Sequence, residues 1–142
     1  ELTRYMEWFR RALRSNSVRE ALMRPVVSGG LNGSTHVWRE QAFAVRTNAG
    51  VLSGRFDRLV VELVEGAVLD PGASIALVDP AMVRAAEVID FKTDVFDVTD
   101  AAAIAARSER YAGQLAAYEE AAALLLGVDR GIVRSRLVFV SV

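Results

Sequence analysis

The chain has no cysteine, a single histidine and three prolines among its 142 residues. The absence of cysteine excludes disulfides and thiolate metal sites. No apolar run is long enough to span a bilayer and no signal peptide is recognisable, so the sequence predicts no membrane partner and, by default, a cytoplasmic location. The formal net charge of −1 gives no general nucleic-acid footprint, although an acidic metal site would mask one.

Lysine is also almost absent, which makes the single lysine informative. Of the 17 basic residues, 16 are arginine and the exception is Lys92. Arginine stays charged, whereas lysine is a compact point charge whose pKa can shift when it is buried. Lys92 lies two positions after Asp90, and the apolar run before Asp90 predicts a buried strand. Residues i and i+2 of a strand face the same side, so Asp90 and Lys92 are expected to project together, with Phe91 on the opposite side. A surface ion pair, which contributes little, is the alternative.

Hydrophobic periodicity predicts a mixed α/β layer fold for the whole chain. The predicted elements, in order, are an amphipathic helix over 2–13, a short helix over 18–23, a hairpin of strands over 36–47 and 51–63, the strand that carries Asp90, a helix over 101–126 capped by Thr99 or Asp100, and a strand over 133–142. A glycine-rich loop is predicted over 28–34. In the connection after the hairpin, residues 75–78 suggest an edge strand and residues 81–85 one helical turn.

Asp57 is the second candidate carboxylate. Strict alternation along the second hairpin strand predicts that Asp57 shares its face with Leu59 and Val61, opposite Phe56 and Arg58. An aspartate among apolar neighbours needs a partner or a metal. Neighbouring strands lie about 4.8 Å apart, so two inward carboxylates can share one cation.

Magnesium suits such a site because it prefers hard oxygen ligands and accepts water in the other positions. The backbone carbonyl of Phe91 can add one more oxygen. The metal would lower the pKa of a bound water and offset charge on a phosphate, and Lys92 could position that water or stabilise the developing charge.

Four blocks of sequence, taken in order, resemble a known family. They are WREQAF at 38–43, GRFDRL at 54–59, IDFKTD at 89–94 and YAGQLAAY at 111–118. Together they look like the ordered motifs of the RecB-type nuclease domain, a member of the PD-(D/E)XK superfamily that often ends the AddA and RecB chains of helicase–nucleases. The similarity spans nearly the whole chain, and the order of the blocks is far more specific than any one block.

The resemblance implies a restriction-endonuclease-like α/β core, with a central mixed sheet flanked by helices, occupying residues 1–142 as one domain. It implies a metal-dependent, exonuclease-type DNA phosphodiesterase acting in double-strand-break repair. Its cofactor would be Mg²⁺, with Mn²⁺ as a substitute, and ATP would serve only the presumed helicase part of the parent chain. Its partners would be DNA, the parent's helicase domains and a partner subunit. The implied site residues are the catalytic group Asp57, Asp90 and Lys92, the metal ligands Asp57, Asp90 and the carbonyl of Phe91, and the supporting, DNA-proximal residues Gln114, Tyr118 and Glu40.

One feature of the family has no counterpart here. The family also uses a histidine, on a helix well upstream, as a metal ligand, but His36 lies on the first hairpin strand and is expected to be an ordinary strand residue. The expectation is therefore a piece of a larger helicase–nuclease without the histidine helix, or a degenerate copy, that binds Mg²⁺ weakly and cuts DNA poorly. The other hypothesis is a non-catalytic module of the same fold that clamps DNA or docks a subunit.

Overall fold

A computed structural model describes residues 2–23, 34–93 and 100–140 of the chain. The elements are helices α1 (Leu2–Ala12), α2 (Asn16–Leu22) and α3 (Ala101–Leu126), and strands β1 (Thr35–Thr47), β2 (Gly50–Leu63), β3 (Val83–Lys92) and β4 (Val133–Phe139). Most of the predicted glycine-rich loop, the candidate cap Thr99 and the last two residues of the predicted final strand lie outside the described residues. Among the described residues, no helix is both long enough and apolar enough to cross a membrane.

The four strands form one mixed sheet in the order β1-β2-β3-β4, and the α/β class predicted from the sequence is confirmed. β1, β2 and β3 are successive antiparallel neighbours, whereas β4 runs parallel to β3. A parallel pair needs a crossover connection, and α3 supplies it. α3 packs through Ala121, Ala122 and Leu126 into one hydrophobic cluster. A second cluster contains Ala12, Val18 and Ala21, from α1 and α2, together with Val60, Ile89 and Val138 of the sheet.

α3 begins and ends as its sequence predicts. The Asp100 carboxylate accepts hydrogen bonds from the backbone N–H groups of Ala102 at 2.9 Å and Ala103 at 3.2 Å, which satisfies two donors of the first turn. At the other end Gly127 has φ of 66°, and the N–H of Val128 donates to the carbonyl of Ala123 at 3.0 Å. Glycine adopts this left-handed conformation without a Cβ penalty, so the helix stops there. The alanine-rich interior between the two caps has high helix propensity.

The connection between β2 and β3 differs from the prediction. Residues Ile75–Leu77 form a 3-10 turn instead of an edge strand. Ile75 and Val78 are buried in the core, so their apolar character serves packing and not strand pairing. The indole N–H of Trp38 donates to the carbonyl of Ala73 at 2.9 Å and ties the connection to β1. The helical turn predicted over 81–85 is also shorter, since Pro80–Met82 form the turn and Val83 already begins β3.

The predicted strict alternation of faces along the hairpin is wrong at one place. Phe56 and Leu59, which alternation puts on opposite faces, belong to the same hydrophobic cluster. The pairs Arg39–Arg58 and Gln41–Phe56 are in register, but the pair between them, Glu40 with Asp57, is missing from the ladder. Glu40 has φ of 49°, which is left-handed backbone. At that kink the alternation shifts by one residue in both strands, so side chains before and after it can point to the same face of the sheet. The kink lies directly beside Asp57.

Candidate active site

Asp90 and Lys92 lie together at the C-terminal end of β3. Lys92 Nζ is 2.9 Å from Asp90 Oδ2, and the two side chains are 20% and 5% exposed. Phe91 packs against the second hydrophobic cluster, whereas Val88, on the Asp90 side of the strand, belongs to the first. The predicted facing of these residues is confirmed. The contact combines the charges of an ion pair with the distance of a hydrogen bond. It is an ion pair that leaves lone-pair capacity on the oxygen.

The two groups change each other's titration. Burial raises the pKa of the Asp90 carboxyl; the Lys92 ammonium opposes this in part, and the charge of Asp57 raises the pKa further. Burial alone would lower the pKa of Lys92, but the contact with Asp90 and its negative charge outweigh burial, so the Lys92 pKa is raised. Tyr111 and Tyr118 act in the same direction. Lys92 is therefore held in its protonated form. The charged form of Asp90 is disfavoured by burial and by Asp57.

Asp57 reaches β3 through its side chain. The backbone ladder between β2 and β3 runs as far as Arg58 with Ile89, and one more step in the same register would place Asp57 opposite Asp90. Asp57 Oδ2 accepts a hydrogen bond from the backbone N–H of Phe91 at 2.8 Å. The carboxylate thus takes over the pairing where the backbone ladder ends, and it holds the end of β3 beside β2.

Oxygen atoms from three residues lie near the end of β3. In a strand, a residue's N–H and C=O point to the same side, so the Phe91 carbonyl is directed towards β2 like the N–H that binds Asp57. The next residue points the other way, since the Lys92 carbonyl accepts from Val140 N–H at 2.8 Å. Two carboxylates, one of them buried, and one carbonyl are oxygen donors of the kind that Mg²⁺ and Mn²⁺ prefer.

Tyr111 flanks the lysine, and the sequence prediction assigned this residue no role. Lys92 Nζ is 4.7 Å from the centroid of the Tyr111 ring, within the range of a cation–π contact. The signal in the sequence was helical spacing: Tyr111 precedes Gln114 by three positions and Tyr118 by seven, so all three share one stripe of α3.

Gln114 and Tyr118, which the resemblance implies as supporting residues, contact each other. Gln114 Nε2 donates to the Tyr118 hydroxyl at 2.8 Å. The Tyr118 ring meets Phe43 and Phe56 edge-on, at centroid distances of 5.8 and 5.7 Å. Gly54 makes room for this arrangement, because a Cβ there would lie 2.9 Å from the Phe43 ring. The aromatic group fixes α3 against the hairpin and so fixes Tyr111 and Gln114 relative to Lys92.

The structure does not bring Glu40 or His36 into the carboxylate pair. Glu40 of β1 stands beside Asp57 of β2 in the interrupted register, but its side chain is 67% exposed and its Oε2 is 3.8 Å from Arg55 Nη1. The His36 ring packs against Trp38, with centroids 4.3 Å apart. Within residues 2–23, 34–93 and 100–140, no three His, Asp or Glu side chains are arranged to hold a metal. The site in this part of the chain has two carboxylates.

Comparison of the chain with protein-family models, with curated proteins and with solved structures gives no match.

Proposed function

We propose that the chain is a metal-dependent nuclease domain that hydrolyses DNA phosphodiesters, with Mg²⁺ or Mn²⁺ as its cofactor, within a helicase–nuclease. The observation that carries the proposal is the pairing of a buried carboxylate, Asp90, with the only lysine of the chain at 2.9 Å. A second carboxylate, Asp57, is tied to the peptide between those two residues. The order of helix, hairpin, strand, helix and strand agrees with the restriction-endonuclease-like core that the resemblance implies.

Asp57, Asp90 and the carbonyl of Phe91 would hold the cation. When bound, the cation offsets phosphate charge and makes water a stronger nucleophile at neutral pH. Asp57 keeps its second oxygen available because only Oδ2 accepts the Phe91 N–H. Asp90 gains most from a cation, since burial and Asp57 both disfavour its charged form.

Lys92 would contact the reacting phosphate. Its ammonium is held between the Asp90 carboxylate and the Tyr111 ring, so its position is defined before any substrate binds. A cation held by Asp90 would share the charge of that carboxylate, which would leave the Lys92 ammonium, in its present place, able to bind a phosphate oxygen as well. A prepositioned cation costs little reorganisation as negative charge develops on the phosphate.

A non-catalytic module that binds DNA or docks a subunit is the second candidate. It is favoured by one observation: the described residues supply two carboxylates and no third acidic or imidazole ligand. Mg²⁺ dehydrates reluctantly and binds weakly where few protein ligands are preorganised. Mn²⁺ accepts nitrogen and oxygen ligands and generally binds more tightly, so it is the better metal for a first assay.

The test is degradation of a labelled linear DNA in MnCl₂ by the wild-type chain and by Asp90→Asn and Lys92→Ala. Both variants should lose about 100-fold or more in rate, as is usual when a preorganised electrostatic group is removed. Asp70→Asn is the matched control, because Asp70 is exposed and lies in the connection between β2 and β3. Cleavage that survives in Lys92→Ala at the wild-type rate would contradict the proposal. DNA binding by the wild type without any cleavage would favour the non-catalytic module.

A further inference from the structure

Two cations lie against a single aromatic ring at the edge of the site. Arg110 Cζ is 5.9 Å from the centroid of the Tyr111 ring, and Lys92 Nζ is 4.7 Å from the same centroid. Lys92 is neutralised by Asp90. Arg110 is exposed, and among the ion pairs of the described residues none includes it. The site therefore carries one positive charge that no described carboxylate neutralises.

Arg110 has no acidic residue at the helix spacings that favour an ion pair, although Glu109 directly precedes it. On a helix surface the neighbours of a residue lie three and four positions away. For Arg110 these are Ala106, Arg107, Gly113 and Gln114. One of the four, Arg107, is itself basic. An arginine placed for a helix-stabilising ion pair would have Glu or Asp at one of these spacings.

Part of the helix surface beside Arg110 carries only small residues. A Cβ added to Gly113 would meet no heavy atom within 4 Å, so this glycine does not make room for any described group. Glycine in a helix interior costs about 0.8–1.0 kcal/mol relative to alanine. Ala112 and Ala106 are exposed as well. A polymer backbone can approach this part of α3 more closely than a surface of long side chains would allow.

We infer that Arg110 binds a backbone phosphate of the nucleic-acid strand next to the phosphate at Lys92, with Gly113 as the point of close approach; this rests on the proposed DNA substrate. The planar guanidinium matches two phosphate oxygens at once, and such contacts set the register of a strand without reading its sequence. Each strand of a duplex carries one phosphate per about 3.4 Å of helix axis, so a strand that reaches Lys92 has further phosphates close by for a second cation at the same ring. Gln114 lies one helical turn further along α3, four positions after Arg110 and three after Tyr111, so it adjoins both side chains.

The test measures binding of a labelled single-stranded oligonucleotide by fluorescence anisotropy in EDTA, from 50 to 200 mM NaCl. Arg110→Gln should weaken binding several-fold and reduce the slope of log K against log [NaCl] by about 0.7, the value for one lost phosphate contact on a single strand. Arg84→Gln is the control. Arg84 is exposed at the start of β3, about 26 Å from Lys92 at about 3.3 Å per residue, and its slope should equal that of the wild type.

A second pair of variants tests Gly113 as the point of close approach beside Arg110. Gly113→Glu places a carboxylate three positions from Arg110, where it neutralises the arginine and repels phosphate, so it should weaken binding clearly more than Gly113→Gln. Equal slopes for Arg110→Gln and the wild type would overturn the inference, whether or not the chain cleaves DNA. A normal slope change with no cleavage in Mn²⁺ would support this contact and contradict the nuclease proposal. Failure of the wild type to bind the oligonucleotide would overturn both.

Discussion

The Asp57 carboxylate has a structural task that can be measured separately from any chemistry. It accepts the Phe91 N–H at 2.8 Å at the point where the ladder between β2 and β3 ends. Asp57→Ala removes the acceptor and leaves a partly buried N–H without one. Asp57→Asn keeps an oxygen in the same place while removing the charge. Both variants should weaken cation binding, but only the alanine variant should loosen the end of β3.

The expected magnitudes follow from the environment of the bond. A hydrogen bond to a charged group contributes about 1.5–3 kcal/mol, and an unsatisfied buried donor costs about 1–3 kcal/mol. Asp57 and Phe91 are both only half-buried, so Asp57→Ala should lower the free energy of unfolding by about 1–2 kcal/mol. Removing the charge of Asp57 also relieves its repulsion of Asp90, which returns part of this loss. That relief is common to both variants, so Asp57→Asn should be more stable than Asp57→Ala by about 1 kcal/mol.

The assay is urea unfolding at pH 7 in EDTA, followed by circular dichroism. Asp70→Ala and Asp70→Asn are the matched controls, and they should differ from the wild type by no more than about 0.5 kcal/mol, as exposed substitutions do. Equal stabilities for Asp57→Ala and Asp57→Asn would refute the reasoning. An amide oxygen at residue 57 would then give no stabilising hydrogen bond with the Phe91 N–H.

Three further predictions concern pH, the lysine and the long helix. In metal-free protein, the folded state holds the Asp90 proton more tightly than the unfolded chain, since burial raises the Asp90 pKa. The contribution of Asp90 to stability should therefore fall as pH rises from the ordinary aspartate range through the raised pKa. In urea unfolding, the stability of Asp90→Asn relative to the wild type should rise between pH 3.5 and 7; a constant difference would contradict this. Lys92→Arg should restore little of the cleavage lost in Lys92→Ala, because the guanidinium is larger and differently shaped; cleavage near the wild-type rate would show that any cation suffices. Gly113→Ala should raise the free energy of unfolding by up to about 1 kcal/mol, because an added Cβ meets no atom and alanine favours the helix; a loss of stability in urea would mean that the glycine has a packing role.

Much of the fold could be predicted because its signals are local. Alanine content, Asp100 and Gly127 define α3, and the alternation of residues along β3 places Asp90 and Lys92 on one side and Phe91 on the other. The connection over 64–82 was harder, because Ile75 and Val78 are apolar for the sake of the core and not for a strand. A short apolar run cannot distinguish these two uses.

The contacts of the candidate site residues were not predictable from the sequence. The left-handed conformation of Glu40 has no signal in the sequence, since glutamate rarely adopts it. Without that kink, strict alternation gives Asp57 the wrong neighbours, and its hydrogen bond to the Phe91 backbone is not foreseen. The role of Tyr111 beside Lys92 depends on how α3 lies on the sheet, which is a tertiary relation.

Calorimetric titration with MnCl₂ tests the proposed cation site most directly. The wild-type chain should bind one Mn²⁺, more tightly than Mg²⁺, and both Asp57→Asn and Asp90→Asn should weaken binding by at least about tenfold, because each removes one anionic ligand of the two available. Asp70→Asn should bind as the wild type does. No measurable Mn²⁺ binding by the wild type, or binding that is unchanged in Asp90→Asn, would contradict the assignment of Asp57 and Asp90 as the cation site.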